Sequence, residues 1–482
     1  MRSASESAAT APRTPFAPAW LPRLFPWADA ASAALPWSRL LRLSLFQVSV
    51  GLALVLLNGT LNRVMIVELG VPAWLVGTMV ALPLVFAPLR ALVGFRSDHH
   101  RSAIGWKRVP YLWLGTMLQF GGFAIMPFAL LLLTGDGNAP QWLARAAAAL
   151  SFLLVGAGLH TVQTAGLALA TDMSPPERRP QVIAVLYVAL LLGMLVSALA
   201  LGSLLADYRH LRLIQVVQGA AVVSVALNLV ALWRQEALDP KGREAGAPRP
   251  RFGQAWRRFA AGTRATRFLV AVTLGTLAFG MQDILLEPYG GEILGLSVGQ
   301  TTGLTAVLAA GGLVAFGLAA RRLSRGTHPV RLAATGALAG IAAFSAVIFA
   351  DPLASHALFA AGTFGIGFGG GLFAVGTLTV AMSLGGDSDA GLSLGAWGAA
   401  QATAAGVGIA LGSIIRDAVG SLAAAGSLGE ALAGPATGYS VVYHLEIFLL
   451  FATLAALGPL AAPNHARAAA PSARFGLAEF PN

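Results

Sequence analysis

Apolar stretches too long for most soluble core helices recur along almost the whole chain, and no other feature constrains its fold more. From residue 42 onward, runs of about 20 residues or more with few charges alternate with short breaks that are polar or carry Pro and Gly. A bilayer core about 30 Å thick needs about 20 apolar residues per helix, and only segments that satisfy their own backbone polar groups can span it. The runs are continuous and rich in Leu, Ala and Gly, without alternation at every second residue, so they predict α-helices and not barrel strands. Read against the breaks, they give twelve spans near 42–68, 72–93, 110–134, 142–170, 180–206, 211–233, 266–289, 296–320, 330–350, 354–383, 389–417 and 438–461. The longest hydrophilic break, RQEALDPKGREAGAPRPRFGQAWRRFAAGTR at 234–264, divides them into six and six.

Only 11% of the residues are charged, against about 25% in a soluble domain. The chain therefore reads as an all-α integral membrane protein of twelve transmembrane helices in two six-helix halves. Its expected parts are an N-terminal tail (1–38), an N-terminal six-helix bundle (39–233), a basic linker (234–264), a C-terminal six-helix bundle (265–461) and a C-terminal tail (462–482). Cysteine is absent, which excludes disulfides, thiolate metal sites and thiol nucleophiles. No apolar core of signal-peptide type lies in the first 38 residues, so no cleaved signal is expected, and residues 1–18 read as a disordered tail. The stretch AWLPRLFPWADAASAALPWSRLLRL that follows sets Trp20, Trp27 and Trp37 among Arg23, Arg39 and Arg42, which suits a segment lying among lipid headgroups.

The net charge of +11 raises nucleic acid as a partner, but its distribution argues for a membrane orientation signal instead. If the N-terminus is cytoplasmic, 27 of the 32 Lys and Arg residues fall on that side, and the opposite side is nearly bare, with Arg209 and Arg212 as its main loop charges. Basic residues are retained on the cytoplasmic side, so both termini are expected there and nucleic acid is not an expected partner. The loop GGDSD at 385–389 departs from the pattern by being acidic, although acids weigh little in this rule.

Between the second and third spans lies GFRSDHHRSAIGWKRVPY, residues 94–111. Gly94 permits a tight turn, Asp98 can cap it or pair with Arg101, and Lys107 and Arg108 stand where the third helix begins. An orientation anchor and inter-helix latch accounts for these charges. Twelve helices in two halves with a basic cytoplasmic linker resemble the major facilitator superfamily, whose transporters carry G-x-x-x-D-R/K-x-G-R/K-R/K in this loop. Here Gly94 and Asp98 are followed by six residues, HHRSAI, before Gly105, Trp106, Lys107 and Arg108. The corresponding loop of the second half, GLAARRLSRGTHPVR from Gly317, keeps basic residues and lacks the Asp.

The stretched motif and its continuation, GFRSDHHRSAIGWKRVPYLWLGTMLQFGGFAIMPFALL, resemble the PucC/LhaA family, the bacteriochlorophyll-delivery branch of that superfamily in phototrophic bacteria. So do LRLSLFQVSVG (41–51), LNGTLNRVMIVELGVPAWLVG (57–77), FLLVGAGLHTVQTAGLALATD (152–172), RLIQVVQGAA (212–221) and QDILLEPYGGEILGLSVGQTT (282–302). The resemblance covers most of residues 39–400 and implies an assembly factor for light-harvesting antenna complexes. It implies bacteriochlorophyll, in the form bacteriochlorophyll a, as the bound pigment, with carotenoid as a further one. Expected partners are the light-harvesting α and β polypeptides, the reaction-centre core, the membrane insertion machinery and membrane lipids. The expected location is the inner or intracytoplasmic photosynthetic membrane.

Polar groups inside apolar helices are costly unless paired and therefore mark candidate sites. Asn58 and Asn62, one turn apart on the first helix and followed by Arg63, can line a cavity, offer an amide oxygen to a pigment magnesium, or simply bond between helices. On the fourth helix His160 is followed by Gln163 and Thr164 on one stripe. Imidazole is a common metal ligand, so His160 is the first candidate for axial ligation of pigment magnesium; hydrogen-bonded packing is the alternative. Asp283 and Glu287 in MQDILLEPYGG lie one turn apart on the seventh helix, which Pro288, Gly290 and Gly291 are expected to end. Glu287 falls near the non-cytoplasmic interface, where it is either solvated or part of a ligand site at a broken helix.

His444 and Glu446, early in the twelfth helix, are polar groups that can ligate or snorkel. The glycine-rich GTFGIGFGGGLFAVG (362–376) lacks the Lys-Ser/Thr ending of a phosphate loop and suits close helix packing or a gate. No HExxH, no GxSxG with partners and no nucleotide loop is present, so no enzymatic activity is expected. The rival reading is a proton-coupled secondary transporter of a small solute, using Asp283 or Glu287.

Overall fold

The computed structural model describes residues 30–32, 35–85, 106, 108–133, 140–175, 179–236, 263–384 and 386–461. Among them are no strands, and eleven helices are long and apolar enough to cross a membrane. A shorter apolar helix, second in chain order, brings the number to twelve. We number them α1 (Trp37–Glu68), α2 (Ala73–Val85), α3 (Val109–Leu133), α4 (Gln141–Asp172), α5 (Arg179–Leu204), α6 (His210–Leu232), α7 (Arg264–Glu292), α8 (Val298–Ser324), α9 (Pro329–Ala350), α10 (His356–Leu384), α11 (Gly386–Ala424) and α12 (Thr437–Leu457). The chain is a multi-pass membrane protein. Gly94, Asp98, Arg101, Gly105 and Lys107 of the stretched loop lie outside the described residues, as do residues 1–29 and 33–34, the C-terminal tail and residues 237–262 of the linker.

Helix packing carries the internal repeat that residue identity barely shows. Helix α1 packs on α5 and α6 as α7 packs on α11 and α12; α3 packs on α4 and α6 as α9 packs on α10 and α12; α2 lies on α4 as α8 lies on α10. The halves meet chiefly through α2 with α11 and α5 with α8, two pairs that the same shift of six exchanges. Small residues permit this approach: a Cβ on Gly299 would stand 2.4 Å from the Gly202 carbonyl across the α5–α8 contact. The glycine-rich stretch of α10 serves the same purpose within the second half, where a Cβ on Gly369 would stand 2.7 Å from the Gly336 carbonyl of α9.

Exposure follows from this arrangement. Trp113, Leu114, Phe120 and Phe128 of α3, Val222 and Val223 of α6, and Phe448 and Phe451 of α12 are exposed. In water such patches would associate; against acyl chains they are at home. By contrast, α4 from Ser151 to Thr171 and α10 from Gly365 to Ala381 contain no exposed residue, as central helices of a two-half bundle require.

Two helix ends depart from the sequence reading. Trp37–Leu43, expected at headgroup level, forms the first turns of α1. The Arg39 guanidinium donates to Gln235 Oε1 at 3.1 Å, and Gln235 Nε2 donates to the Arg39 carbonyl at 3.2 Å, tying the start of α1 to the end of α6. Helix α11 runs from Gly386 to Ala424, beyond the expected 389–417 at both ends.

Candidate functional site

The two halves come together where α1 and α7 both leave regular α-helical geometry. Helix α1 is π-helical over Val55–Thr60 and again over Val64–Glu68, and π-turns inside helices occur frequently at functional sites. Helix α7 tightens to a 3-10 turn at Gln282–Ile284 and resumes as Leu286–Glu292. The expected end at Pro288, Gly290 and Gly291 is therefore corrected: the break comes earlier, and Pro288 occupies the third position of the resumed helix, where a backbone N–H has no intrahelical acceptor.

At this level Thr60 and Thr302 bring their hydroxyls to 3.2 Å across the α1–α8 contact. The Asn62 amide donates to the Asn58 carbonyl, and to the Asp283 carbonyl at 3.3 Å. Asn58 itself is half-buried, and Asn62 is fully buried. The Gln282 amide donates to the Phe279 carbonyl at 3.2 Å and to the Asp283 carboxylate. Glu446 reaches this point from α12, 0% exposed. Neither of its oxygens makes a hydrogen bond of ordinary geometry, although the Asp283 carboxylate and the Gln282 backbone lie close by. Asp283 is half-buried.

One turn further along α7, Glu287 is 4% exposed, so it is enclosed and not solvated at the interface. Thr305 of α8 donates to its Oε1, and a Cβ on Gly59 of α1 would fall 2.3 Å from the same oxygen. Arg63, also 4% exposed, donates to Glu68 and to the Leu296 carbonyl at 3.2 Å. Above this pair, in the connection between α5 and α6, the Tyr208 phenol is pushed up to about 12, first by burial and then by Glu68, with Arg63 opposing.

A second cluster closes the same end of the bundle. Arg416 of α11 donates to Glu292 of α7 and to Tyr439 of α12 at 3.1 Å, while its guanidinium carbon lies 4.6 Å over the Tyr439 ring. Tyr439 donates to Glu292 at 2.6 Å, and Arg416 to Asp417 at 2.7 Å. Asp417 in turn accepts from the Trp74 N–H at 2.7 Å, so a carboxylate of the second half caps α2 of the first. A carboxylate is well placed there, because a helix N-terminus presents unpaired N–H groups and a positive dipole end. The sequence reading missed this cluster. Its one signal was Arg416, among the few basic residues on the side otherwise bare of them.

His160 and Gln163 stand apart, inside the first half. Helix α4 meets α3 at Gly158 and Gly115, α2 at Gly156 and Pro83, and α1 at Gly166 and Phe46. His160, Gln163 and Thr164 lie half-buried on the strip these contacts leave, with the Thr164 hydroxyl donating to the His160 carbonyl at 2.7 Å. Of the two imidazoles in the expected pigment-binding set, that of His160 is half-buried on this strip and that of His444 is exposed. Asn62 and Glu287 are buried among α1, α7 and α8. His444 is exposed on α12, and its Nδ1 lies 2.7 Å from the Ser440 carbonyl of the preceding turn, separate from Glu446 beside it in sequence.

Arg108, the described basic residue of the stretched loop motif, is 4% exposed and donates to Asp172 at the end of α4 at 2.9 Å. Glu236, just beyond α6, accepts from the Arg108 N–H at 2.8 Å and the Val109 N–H at 2.9 Å. This end of the motif thus fastens α3, α4 and α6.

With this geometry in view, the chain can be set beside known proteins. The family model described as PUCC protein matches residues 60–465. An uncharacterized protein from the puhA–bchM intergenic region of Rhodobacter capsulatus is 56% identical over 467 residues, covering 96% of this chain and 97% of that one. Protein PucC of Rhodovulum sulfidophilum is 57% identical over 404 residues, covering 83% and 89%. At greater distance, a protein named bacteriochlorophyll synthase 44.5 kDa chain from Rhodobacter capsulatus is 31% identical over 441 residues, covering 90% and 98%. Among solved structures, the nucleoside transporter NupG superposes with a TM-score of 0.64 at 15% identity, over 87% of this chain and 99% of that one. A bacterial homologue of the iron transporter ferroportin, inward-facing, gives 0.63 at 14%, over 87% and 97%. These last two establish the fold, that of the major facilitator superfamily, and nothing about substrate.

Proposed function

The chain belongs to the PUCC protein family, and from that premise we propose that it is an assembly factor for bacterial light-harvesting antenna complexes. It binds bacteriochlorophyll and delivers it to newly inserted α and β antenna polypeptides in the inner or intracytoplasmic membrane, with both termini cytoplasmic. The observation that carries this reading is similarity along most of the chain to proteins named PucC; a relative named for bacteriochlorophyll synthase supports the link to pigment. No catalytic step is assigned to the chain.

The residues fit the pigment at one place. The half-buried imidazole of His160, on a helix whose other faces pack against α1, α2 and α3, would hold the pigment's magnesium. Gln163, on the same stripe, would offer its amide N–H to a carbonyl group at the ring's edge. The exposed apolar faces of α3, α6 and α12 offer surfaces on which antenna helices can dock while pigment is transferred. A deletion strain tests this: antenna absorbance should fall while reaction-centre synthesis begins normally, and unchanged antenna levels would sink the proposal.

A second reading, a proton-coupled transporter of a small solute, draws on the two-half fold and on the irregular turns of α1 and α7, a feature transporters use at ligand sites. Uptake into proteoliposomes that follows a pH gradient and disappears in Asp283→Asn would favour it.

A further inference from the structure

The cluster where α1, α7 and α12 meet is short of hydrogen-bond donors in a specific way. The Gln282 amide nitrogen lies between the Phe279 carbonyl and the Asp283 carboxylate, and the Asn62 amide nitrogen between the Asn58 and Asp283 carbonyls. Turning either amide over would set oxygen against oxygen, so both orientations are fixed by their partners. Their oxygens, Gln282 Oε1 and Asn62 Oδ1, are buried without a donor among the described residues, and the Glu446 carboxylate has the Gln282 backbone N–H beside it but no side-chain donor. These three side chains are 2%, 0% and 0% exposed, respectively.

The charge is equally unmatched. Asp283 lies within electrostatic reach of Glu446. Arg63, the guanidinium of this neighbourhood among the described residues, is engaged by Glu68 and the Leu296 carbonyl one turn away. Leaving buried carboxylates without a counter-charge is strongly unfavourable.

One species meets both deficits. A single proton would satisfy one donor–acceptor pair, whereas an alkali cation accepts several oxygens at once. The available atoms are all hard oxygens, which disfavours the softer transition metals. No group of three or more His, Cys, Asp or Glu suited to a metal ion occurs among the described residues, as the stronger divalent sites would require. Irregular turns of paired central helices, with carbonyls turned out of the helical ladder, are where transporters of this general design place such ions.

We propose that this cluster binds a desolvated Na+, with Glu446 and Asp283 as anionic ligands and Gln282 Oε1 and Asn62 Oδ1 as neutral ones. The ion would join α1 of the first half to α7 and α12 of the second. Its occupancy would therefore stabilise the closed contact between halves, whatever cargo the protein carries.

The test is thermal unfolding of the purified full chain in detergent at fixed pH and ionic strength, with NaCl exchanged stepwise for choline chloride. A saturable upward shift of about 3 °C is expected as Na+ replaces choline. Glu446→Gln should lose the shift, and Asp283→Asn serves as the second variant should the first fail to fold. An unchanged melting curve for the natural chain on exchange would overturn the proposal. So would a Na+ response kept in both variants, or stabilisation of the Na+-free chain that comes only as pH falls, which would identify a protonated carboxylate pair instead.

Discussion

Asp283 and Glu292 stand on the same helix, yet the clusters they belong to are built in opposite ways. Around Glu292 the acids Glu292 and Asp417 are answered by the Arg416 guanidinium, the Tyr439 hydroxyl and the Trp74 N–H. Around Asp283 the acids Asp283 and Glu446 are accompanied by two amide oxygens that have no donor among the described residues. The first arrangement is complete within the protein and acts as a fastener between halves. The second leaves acceptors without side-chain donors among the described residues. Buried polar networks are valuable when every member is satisfied and costly when one is not, so mutations should act with opposite sign in the two places.

The largest effect is expected at the fastener. Arg416→Leu leaves Glu292 and Asp417 without their cation and should destabilise the protein by about 2 kcal/mol, less than for a fully buried pair because Glu292 is partly exposed; thermal unfolding in detergent measures it. Gly59→Ala comes next. Its Cβ would stand 2.3 Å from Glu287 Oε1 and 2.9 Å from Thr305 Oγ1, an overpacking that costs about 1–2 kcal/mol in the same measurement.

Glu446→Gln, assayed in Na+-free buffer, should reverse the sign, leaving stability unchanged or raising it by up to about 1 kcal/mol because a buried charge is removed. A loss comparable to that of Arg416→Leu would erase the distinction between the clusters. Thr60→Val should cost least, about 0.6 kcal/mol, the average for an inter-helix hydrogen bond in a membrane bundle.

The sequence made some of this legible and hid the rest for physical reasons. Hydropathy marks spans because the bilayer demands them, so twelve helices in two halves could be read directly. Helix ends were less visible. Trp37, Arg39 and Arg42 resemble an interfacial segment, and only the distant Gln235 makes Arg39 part of α1. The break in α7 was displaced because Pro288 starts a helical segment as readily as it stops one.

Within the site, the spacing of Asp283 and Glu287 announced a polar face. Nothing local distinguishes Glu446 from His444, two residues away. One is sealed against α7 and the other exposed, a difference decided by packing partners far off in the chain. Arg416 was anomalous by charge alone, and its partners outside α11 come from two other helices, α7 and α12.

The central claim is that this member of the PUCC family carries pigment, and the most direct measurement is the bacteriochlorophyll content per chain of the protein purified from a phototrophic host. The account predicts a coloured preparation with near-infrared absorbance, retained in Glu446→Gln and lost from folded His160→Leu. A colourless natural protein would contradict the pigment reading itself, and full pigment content in His160→Leu would contradict the assignment of its ligand.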